Sequence, residues 1–534
     1  MRQIAVVLIL CIVTTAGLAL GMLIAHLEPW PYSRVVRWLN PPSAAVFVDD
    51  NPYITSTKFF DLRIERFPRE TRDEPGLGGG LSPYGEDAVL LEGDGTLSLV
   101  RIDELETHPL DIAAPPSGRE AVMAPLQSGE IQDYQRNFWH RYLDLVVGVD
   151  ALYLSYQNYD VASKCFSVRV GRVDLNGRLE DSHIAPEDWR VLFETKPCLP
   201  FKSTGRHSYA GHEAGGQIVL AHDGYLLLTV GHFEFDGYGG PDFAQDLTKD
   251  YGKTFRIDPA TGEAELFTVG HRNPQGLVQT PDGRFWASEQ GPEGGDELNV
   301  LVEGENFGWP LATYGTDYGD RVWPVAERQG HHDRWRKPAW AWVPSIAPSN
   351  IAYVSEFSDV WDGNLLVAAL KDTALWRVVV DRARVVTMER IAFGERIRSV
   401  LVQGGYVLVY TDPGNVLRIS PIEVRRSANL EQLTASLSKP AKRELDRCLV
   451  CHTRGRAEGA PNLCGVVGRA IGQSDFDNYS AAFTALDGVW DAALLNRFLA
   501  DVNSVVPGTV MPNPAIDGLS LRREIGANLD FFCN

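Results

Sequence analysis

A turn dipeptide that keeps returning just ahead of a strand limits this chain more than any other feature. Asp94-Gly95 runs into Thr96-Leu97-Ser98-Leu99-Val100, and Asp223-Gly224 into Tyr225-Leu226-Leu227-Leu228-Thr229. Asp282-Gly283 precedes Arg284-Phe285-Trp286, Asp362-Gly363 precedes Asn364-Leu365-Leu366-Val367, and a variant stands at Gly404-Gly405-Tyr406-Val407-Leu408-Val409. Asp-Gly adopts the positive φ of tight hairpins, and the residues that follow favour strands. Recurring hairpins with no comparable helical period mean a propeller or a set of sandwiches. The uneven spacing predicts long insertions between strands. We read an all-β propeller over residues 46–421, followed by a charged linker over 422–441.

Cys448-Leu449-Val450-Cys451-His452 reads as the attachment site of a c-type haem. The two thiols add to the haem vinyl groups and His452 supplies the first axial nitrogen. A zinc half-site or a redox dithiol is the alternative, but no second Cys or His pair follows at zinc spacing and no βαβ pattern surrounds the motif. Downstream stand Pro461-Asn462-Leu463, Tyr479-Ser480, a helix-like stretch from Trp490 to Val502, and Pro507-Gly508-Thr509-Val510-Met511. Together these resemble the small all-α class I cytochromes c over residues 442–534. The resemblance makes Met511 the second axial ligand, and a Met/His pair raises the haem potential, as an electron acceptor requires.

At 534 residues the chain holds more than one domain, and its net charge of −20 argues against non-specific nucleic-acid binding. From Gln3 to Ala25 no residue is charged. That is longer than a signal-peptide core, so residues 1–27 read as a transmembrane anchor, with a cleaved signal peptide as the alternative. Because c-type haem is attached outside the bacterial cytoplasm, the expected location is the periplasm, anchored to the inner membrane. Cysteine usage agrees. Beyond Cys11 and the haem pair, four cysteines allow three pairings; Cys165–Cys198 and Cys464–Cys533 keep each bridge within one domain.

One segment identifies the propeller. His271-Arg272-Asn273-Pro274-Gln275-Gly276-Leu277 is followed by Ser288-Glu289-Gln290-Gly291-Pro292, Gly295-Asp296-Glu297-Leu298-Asn299 and Asn306-Phe307-Gly308-Trp309-Pro310. This string resembles the soluble glucose and aldose dehydrogenases that use pyrroloquinoline quinone (PQQ), grouped with the sorbosone dehydrogenases, whose propeller has six blades. Position by position, the resemblance makes Arg272, Asn273, Lys371, Arg396 and Arg398 the PQQ contacts. It makes the carbonyls of Gly291 and Pro292 ligands to calcium, a cation that prefers oxygen. Guanidinium forks suit the cofactor's three carboxylates.

The same resemblance implies that His212 is the general base, with His207 as the fallback. Neutral His212 takes the proton of an aldose's anomeric hydroxyl while the hydride passes to the quinone, giving a lactone. Two departures stand out. The chain has one more residue between His212 and Gln217 than the family pattern. Where the family has Gly-Asp, with the Asp orienting the histidine, this chain has Gly231-His232, which leaves Glu213, Glu234 or Asp236 to supply the charge. The fused haem c is then the electron outlet, reoxidised by a soluble cytochrome c or a membrane oxidase. Two other function classes compete: a non-catalytic propeller carrying an electron-transfer cytochrome, and a calcium-dependent lactonase. The substrate within the sugars and alcohols is not readable from the chain.

Overall fold

A computed structural model describes residues 51–69, 78–127, 140–200, 211–238, 240–319, 321–422, 437–449, 451–452, 460–474, 476 and 479–529. Their strands form six antiparallel sheets, each a blade of a six-bladed propeller. The first strands of the blades are Gly79–Tyr84, Tyr142–Val147, Gly215–Leu220, Pro274–Gln279, Pro348–Tyr353 and Ile397–Gln403, and they neighbour one another in a closed ring around the axis. Four of the five turn signals, at Gly224, Gly283, Gly363 and Gly404-Gly405, join the first strand of a blade to its second, each glycine at positive φ. Asp94-Gly95 instead joins the second and third strands of blade 1. The expected insertions are also present, the longest in blade 4 between Asp296–Leu301 and Trp340–Trp342.

Ring closure comes from both ends of the propeller. Strands Ile397–Gln403, Tyr406–Thr411 and Val416–Ile422 are completed by Asp61–Arg66, which pairs with the last of them from Asp61↔Ile422 to Arg66↔Leu417. Tyr53–Ser56 adds an outer strand. On Asp61–Arg66, Leu62 and Ile64 are fully buried and pack with Leu417, Ile419 and Trp361. This is the alternation of a strand with one face in a core.

Nearest the axis, polar side chains bind one blade to the next. Ser82 Oγ accepts from Val147 N at 3.0 Å, Asp144 Oδ2 from Ile218 N at 3.1 Å, and Ser399 Oγ from Leu81 N at 3.2 Å. Asn350 accepts from Val400 N of the next blade at 3.3 Å and donates to Gln217 Oε1, two blades away, at 2.6 Å. Buried polar groups of this kind are tolerated because each is hydrogen-bonded. The Cys165–Cys198 disulfide forms, with Cα atoms 5.5 Å apart, beside the short pairing of Leu199–Pro200 with Cys165–Asp174.

Beyond the propeller a helical unit begins at Lys439, where Ser438 caps the helix Lys439–Cys448 by accepting from Ala441 N at 3.2 Å. Helices Ala492–Ala500, Val502–Val505 and Leu519–Ala527 follow. They bury one cluster that includes Leu445, Trp490, Phe498, Leu499, Val502 and Ile525. Cys464 is disulfide-bonded, and its expected partner Cys533 lies outside the described residues. Among the described residues no helix is long and apolar enough to cross a membrane. The anchor expected over 1–27 lies outside them, as does His207.

Because closure depends on the buried face of Asp61–Arg66, Leu62→Ala should lower the unfolding free energy by about 2–5 kcal/mol. Ile54→Ala, on the exposed outer strand, should change it by no more than about 0.5 kcal/mol. Urea unfolding followed by tryptophan fluorescence measures both.

Candidate active site and haem site

A cavity of about 470 Å³ in the propeller draws seven of its sixteen lining residues from positions just before the first strands of the blades. Arg141 precedes Tyr142–Val147, His212 and Glu213 precede Gly215–Leu220, Arg272 and Asn273 precede Pro274–Gln279, Ala347 precedes Pro348–Tyr353, and Arg396 precedes Ile397–Gln403. Separate chain segments thus deliver side chains to one place from a rigid ring. The predicted residues His212, Arg272, Asn273, Arg396 and Arg398 all line the cavity. Lys371 does not: its side chain is exposed, and its neighbour Leu370 forms the wall instead.

Each cation is held in place. Arg396 Nε lies 2.7 Å from Asp412 Oδ2, and Arg398 Nε donates to Asp412 Oδ1 at 2.8 Å, with Asp412 only 3 % exposed. One carboxylate therefore serves two guanidinium groups and leaves an excess positive charge facing the cavity. Arg272 donates through Nη1 to the carbonyls of Gln290 (3.1 Å) and Gly291 (2.7 Å), and its Nη2 pairs with Glu213. Its guanidinium lies 5.4 Å from the centre of the Trp309 ring. The string Asn306-Phe307-Gly308-Trp309-Pro310 places that ring. Gly308 has φ +93°, and a Cβ there would come within 2.6 Å of Trp335.

Asn273, Gln275 and Gln290 form an amide network beside the arginines. Asn273 Oδ1 accepts from Gln275 Nε2 at 2.8 Å and from Gly215 N at 3.2 Å, while its Nδ2 donates to Gln290 Oε1 at 3.1 Å. Asp296 binds two walls together. Its Oδ1 accepts from Gly291 N at 2.9 Å, and its Oδ2 accepts from Ser345 Oγ, Ile346 N and Ala347 N, each at 2.7 Å. Burial pushes the Asp296 carboxyl above its ordinary range, against those hydrogen bonds.

Around His212 the carboxylates differ in kind. Glu234 approaches Nδ1 to 3.7 Å and is 42 % exposed. Glu213 is buried between Arg272 and His232. Burial is the largest single influence on the Glu213 carboxyl and opposes its charge. The combined pull of Arg272, His232 and His212 overcomes that and holds it down at about 2. Asp236 lines the cavity while accepting from Tyr238 N at 2.8 Å.

Sequence reasoning missed Asp412, Arg141, Gln290, Gln275 and the rim residues Asp317, Tyr318 and Trp323 of the blade 4 insertion. A usable signal existed for Arg141, which stands before a first strand as Arg272 and Arg396 do.

In the helical unit the Cys448–His452 motif forms a compact turn at the end of its helix. Cys448 ends its helix, and its carbonyl accepts from Cys451 N (3.3 Å) and His452 N (2.9 Å). Both thiols are free of disulfides. His452 is buried, and its Nδ1 pairs with the Pro461 carbonyl at 2.7 Å, so the proton sits on Nδ1 and Nε2 keeps its lone pair. Burial pushes the imidazole below its ordinary range, which keeps it neutral. Met511 packs against the same helical core.

Comparison with known proteins agrees with this division. The family model "Glucose / Sorbosone dehydrogenase" matches residues 148–418. Aldose sugar dehydrogenase YliI of Escherichia coli is 32 % identical over 361 residues, covering 62 % of this chain and 89 % of that protein. The crystal structure of the soluble aldose sugar dehydrogenase of Escherichia coli in the apo-form superposes with a TM-score of 0.53 at 26 % identity, covering 68 % of this chain and all of that one. Cytochrome c2 of Rhodopila globiformis is 36 % identical over 85 residues, 16 % of this chain and 80 % of its own length.

The depressed Glu213 carboxyl makes a pH prediction with a definite sign. Its stabilising contribution is complete above the ordinary value of 4.5 and is lost as pH falls toward about 2. Urea unfolding should therefore show Glu213→Gln less stable than the wild type at pH 7, with the gap shrinking at about pH 3.

Proposed function

Because this chain belongs to the glucose/sorbosone dehydrogenase family and carries a cytochrome c homologue at its C-terminal end, we propose that it oxidises an aldose, or a related sugar or alcohol, to a lactone with PQQ, and passes the electrons to its own haem c. The observation that carries the reading is the meeting, in one cavity, of His212 with three anchored guanidinium groups and an amide network.

The donor set fits a planar tricarboxylate. Arg396 and Arg398 share one counter-charge, so carboxylates are welcome beside them, and bidentate pairing gives the planar match. Arg272 and the Asn273–Gln290 pair offer further hydrogen bonds at the opposite wall. Bound there, PQQ would supply the two-electron hydride acceptor that the protein's own side chains lack. Calcium fits less simply. The Gly291 carbonyl already accepts from Arg272, so a calcium on Gly291 and Pro292 shares that oxygen with a guanidinium, and Glu213 offsets the repulsion.

Within this arrangement His212 would receive the hydroxyl proton of the sugar, and the Arg272 guanidinium would offer positive charge to the acceptor. His452 and Met511 would hold the haem iron, with Cys448 and Cys451 in thioether bonds to the porphyrin. The tether turns transfer to haem into an intramolecular event at high effective concentration. Onward transfer goes to a soluble cytochrome c or a membrane oxidase on the periplasmic side, with the N-terminal segment as the anchor.

The test follows the haem spectrum of oxidised full-length protein, loaded with PQQ and calcium, as a panel of aldoses is added. Haem reduction that needs both sugar and quinone is expected. Failure to bind PQQ would overturn the reading in favour of a non-catalytic propeller.

A further inference from the structure

We infer that Glu213 is the positioning residue of this site: its carboxylate supplies the fixed negative charge that aims Arg272 and faces His212, and His232 holds that carboxylate in place. The inference rests on the dehydrogenase reading above and adds to it a part that the segment Gly231-His232 does not itself supply.

The two oxygens of Glu213 meet different partners. Oε1 pairs with Arg272 Nη2 and Oε2 with His232 Nε2. The tautomer of His232 follows from its other nitrogen. Trp309 Nε1 donates to His232 Nδ1 at 3.3 Å, so Nδ1 is the accepting nitrogen and Nε2 is the one that lies beside Glu213 Oε2. His232 side-chain exposure is 1 %, against 15 % for Glu213 and 9 % for Arg272. Within this cluster the Glu213 carboxylate lies between one guanidinium and one imidazole, and an ion pair so shielded retains strength that water would remove.

The backbone fixes Glu213 independently of its side chain. Its φ is +54°, followed by Gly215 at +62° and Gly216 at +95°, so the chain turns sharply between His212 and the strand. Facing it, Phe233 and Glu234 stand at +52° and +64°. Left-handed conformations at Glu213, Phe233 and Glu234 are costly and persist where the surroundings impose them. The two turns interlock: Gly231 N donates to Ala214 O at 2.9 Å and Phe233 N to Glu213 O at 3.4 Å, while His232 N ties the second turn to Arg272 O at 3.0 Å. A Cβ at Gly231 would overlap the Glu213 carbonyl oxygen, so residue 231 has to be glycine. The extra residue after His212 and the histidine at 232 therefore act together. The longer loop brings a carboxylate under Arg272, and the imidazole receives it.

Glu234 is the competing anion. Its 3.7 Å separation from His212 exceeds hydrogen-bond length, and its exposure leaves its charge screened. Besides Glu213 and Glu234, the charged groups that line the cavity with His212 are Arg141, Asp236, Arg272, Asp317, Arg396 and Arg398.

The experiment compares wild type, Glu213→Gln and the double variant Glu213→Gln/His232→Asp, which moves the carboxylate to the other end of the same contact. In protein without quinone, the NMR titration midpoint of His212 should fall in Glu213→Gln, because an anion has gone from the cavity, and return in the double variant. With quinone and sugar, the rate of haem reduction should fall about 10–100-fold in Glu213→Gln and largely recover in the double variant. PQQ affinity should stay within about tenfold of the wild type in Glu213→Gln, since removing an anion from a cationic cavity offsets the loosened aim of Arg272; a larger loss would mean simple collapse of the site and overturn the inference. So would a midpoint that moves with Glu234→Gln and not with Glu213→Gln, or a double variant no better than the single. If the wild type shows no sugar-driven haem reduction, the dehydrogenase reading falls alone, because the histidine titration still reads the Glu213 contact.

Discussion

The hydrogen-bonded seam between Asp61–Arg66 and Val416–Ile422 is the contact on which the propeller depends. A ring of blades has no free edge only when its two chain ends meet in one sheet, and here they meet over six residue pairs. Closure fixes the spacing of the first strands around the axis. That spacing in turn sets where the residues just ahead of them converge. Arg141, Glu213, Arg272 and Arg396 are far apart in sequence, yet each inherits its position from the same ring. The belt of Ser82, Asp144, Gln217, Asn350 and Ser399 carries the constraint from blade to blade.

Charge in the cavity is arranged on two levels. Asp412 and Glu213 lie behind the guanidinium groups, each accepting from cations that face inward. Their partners are thereby oriented without being fully neutralised at the Arg396–Arg398 wall, where two cations share one anion. At the opposite wall the pairing is one to one. An anionic planar guest would therefore find attraction at one side and a balanced, hydrogen-bonding surface at the other.

The features legible in the chain are those governed by short-range chemistry. Cys448-Leu449-Val450-Cys451-His452 needs only spacing, and Asp223-Gly224 or Asp282-Gly283 need only local dihedrals, so the haem motif and the blade hairpins can be read from the amino acids alone. Arg272 and Asn273 sit in a contiguous string and are recognised through it. Lys371 departs from expectation because whether a rim side chain turns inward depends on the packing of a neighbouring loop, here that around Ile346, to whose carbonyl Lys371 N donates at 3.1 Å. Asp412 is hidden for the opposite reason: in Thr411-Asp412-Pro413-Gly414 it reads as a turn residue, and its service to Arg396 and Arg398 is a tertiary fact. Glu213 is one of three carboxylates that the sequence leaves in contention. Choosing among them requires the φ of +54° and the Trp309 hydrogen bond to His232, neither of which has a signature in the order of residues.

The strand that leads out of the propeller toward the haem unit is not at the margin of its sheet. Val416–Ile422 is flanked on one side by Tyr406–Thr411 and on the other by Asp61–Arg66. Any tug on the departing chain is thus resisted by two ladders loaded in parallel along their length, the geometry in which many bonds must fail at once rather than in turn. The same strand that shuts the ring is a mechanical mooring, held by six residue pairs on one side and four on the other.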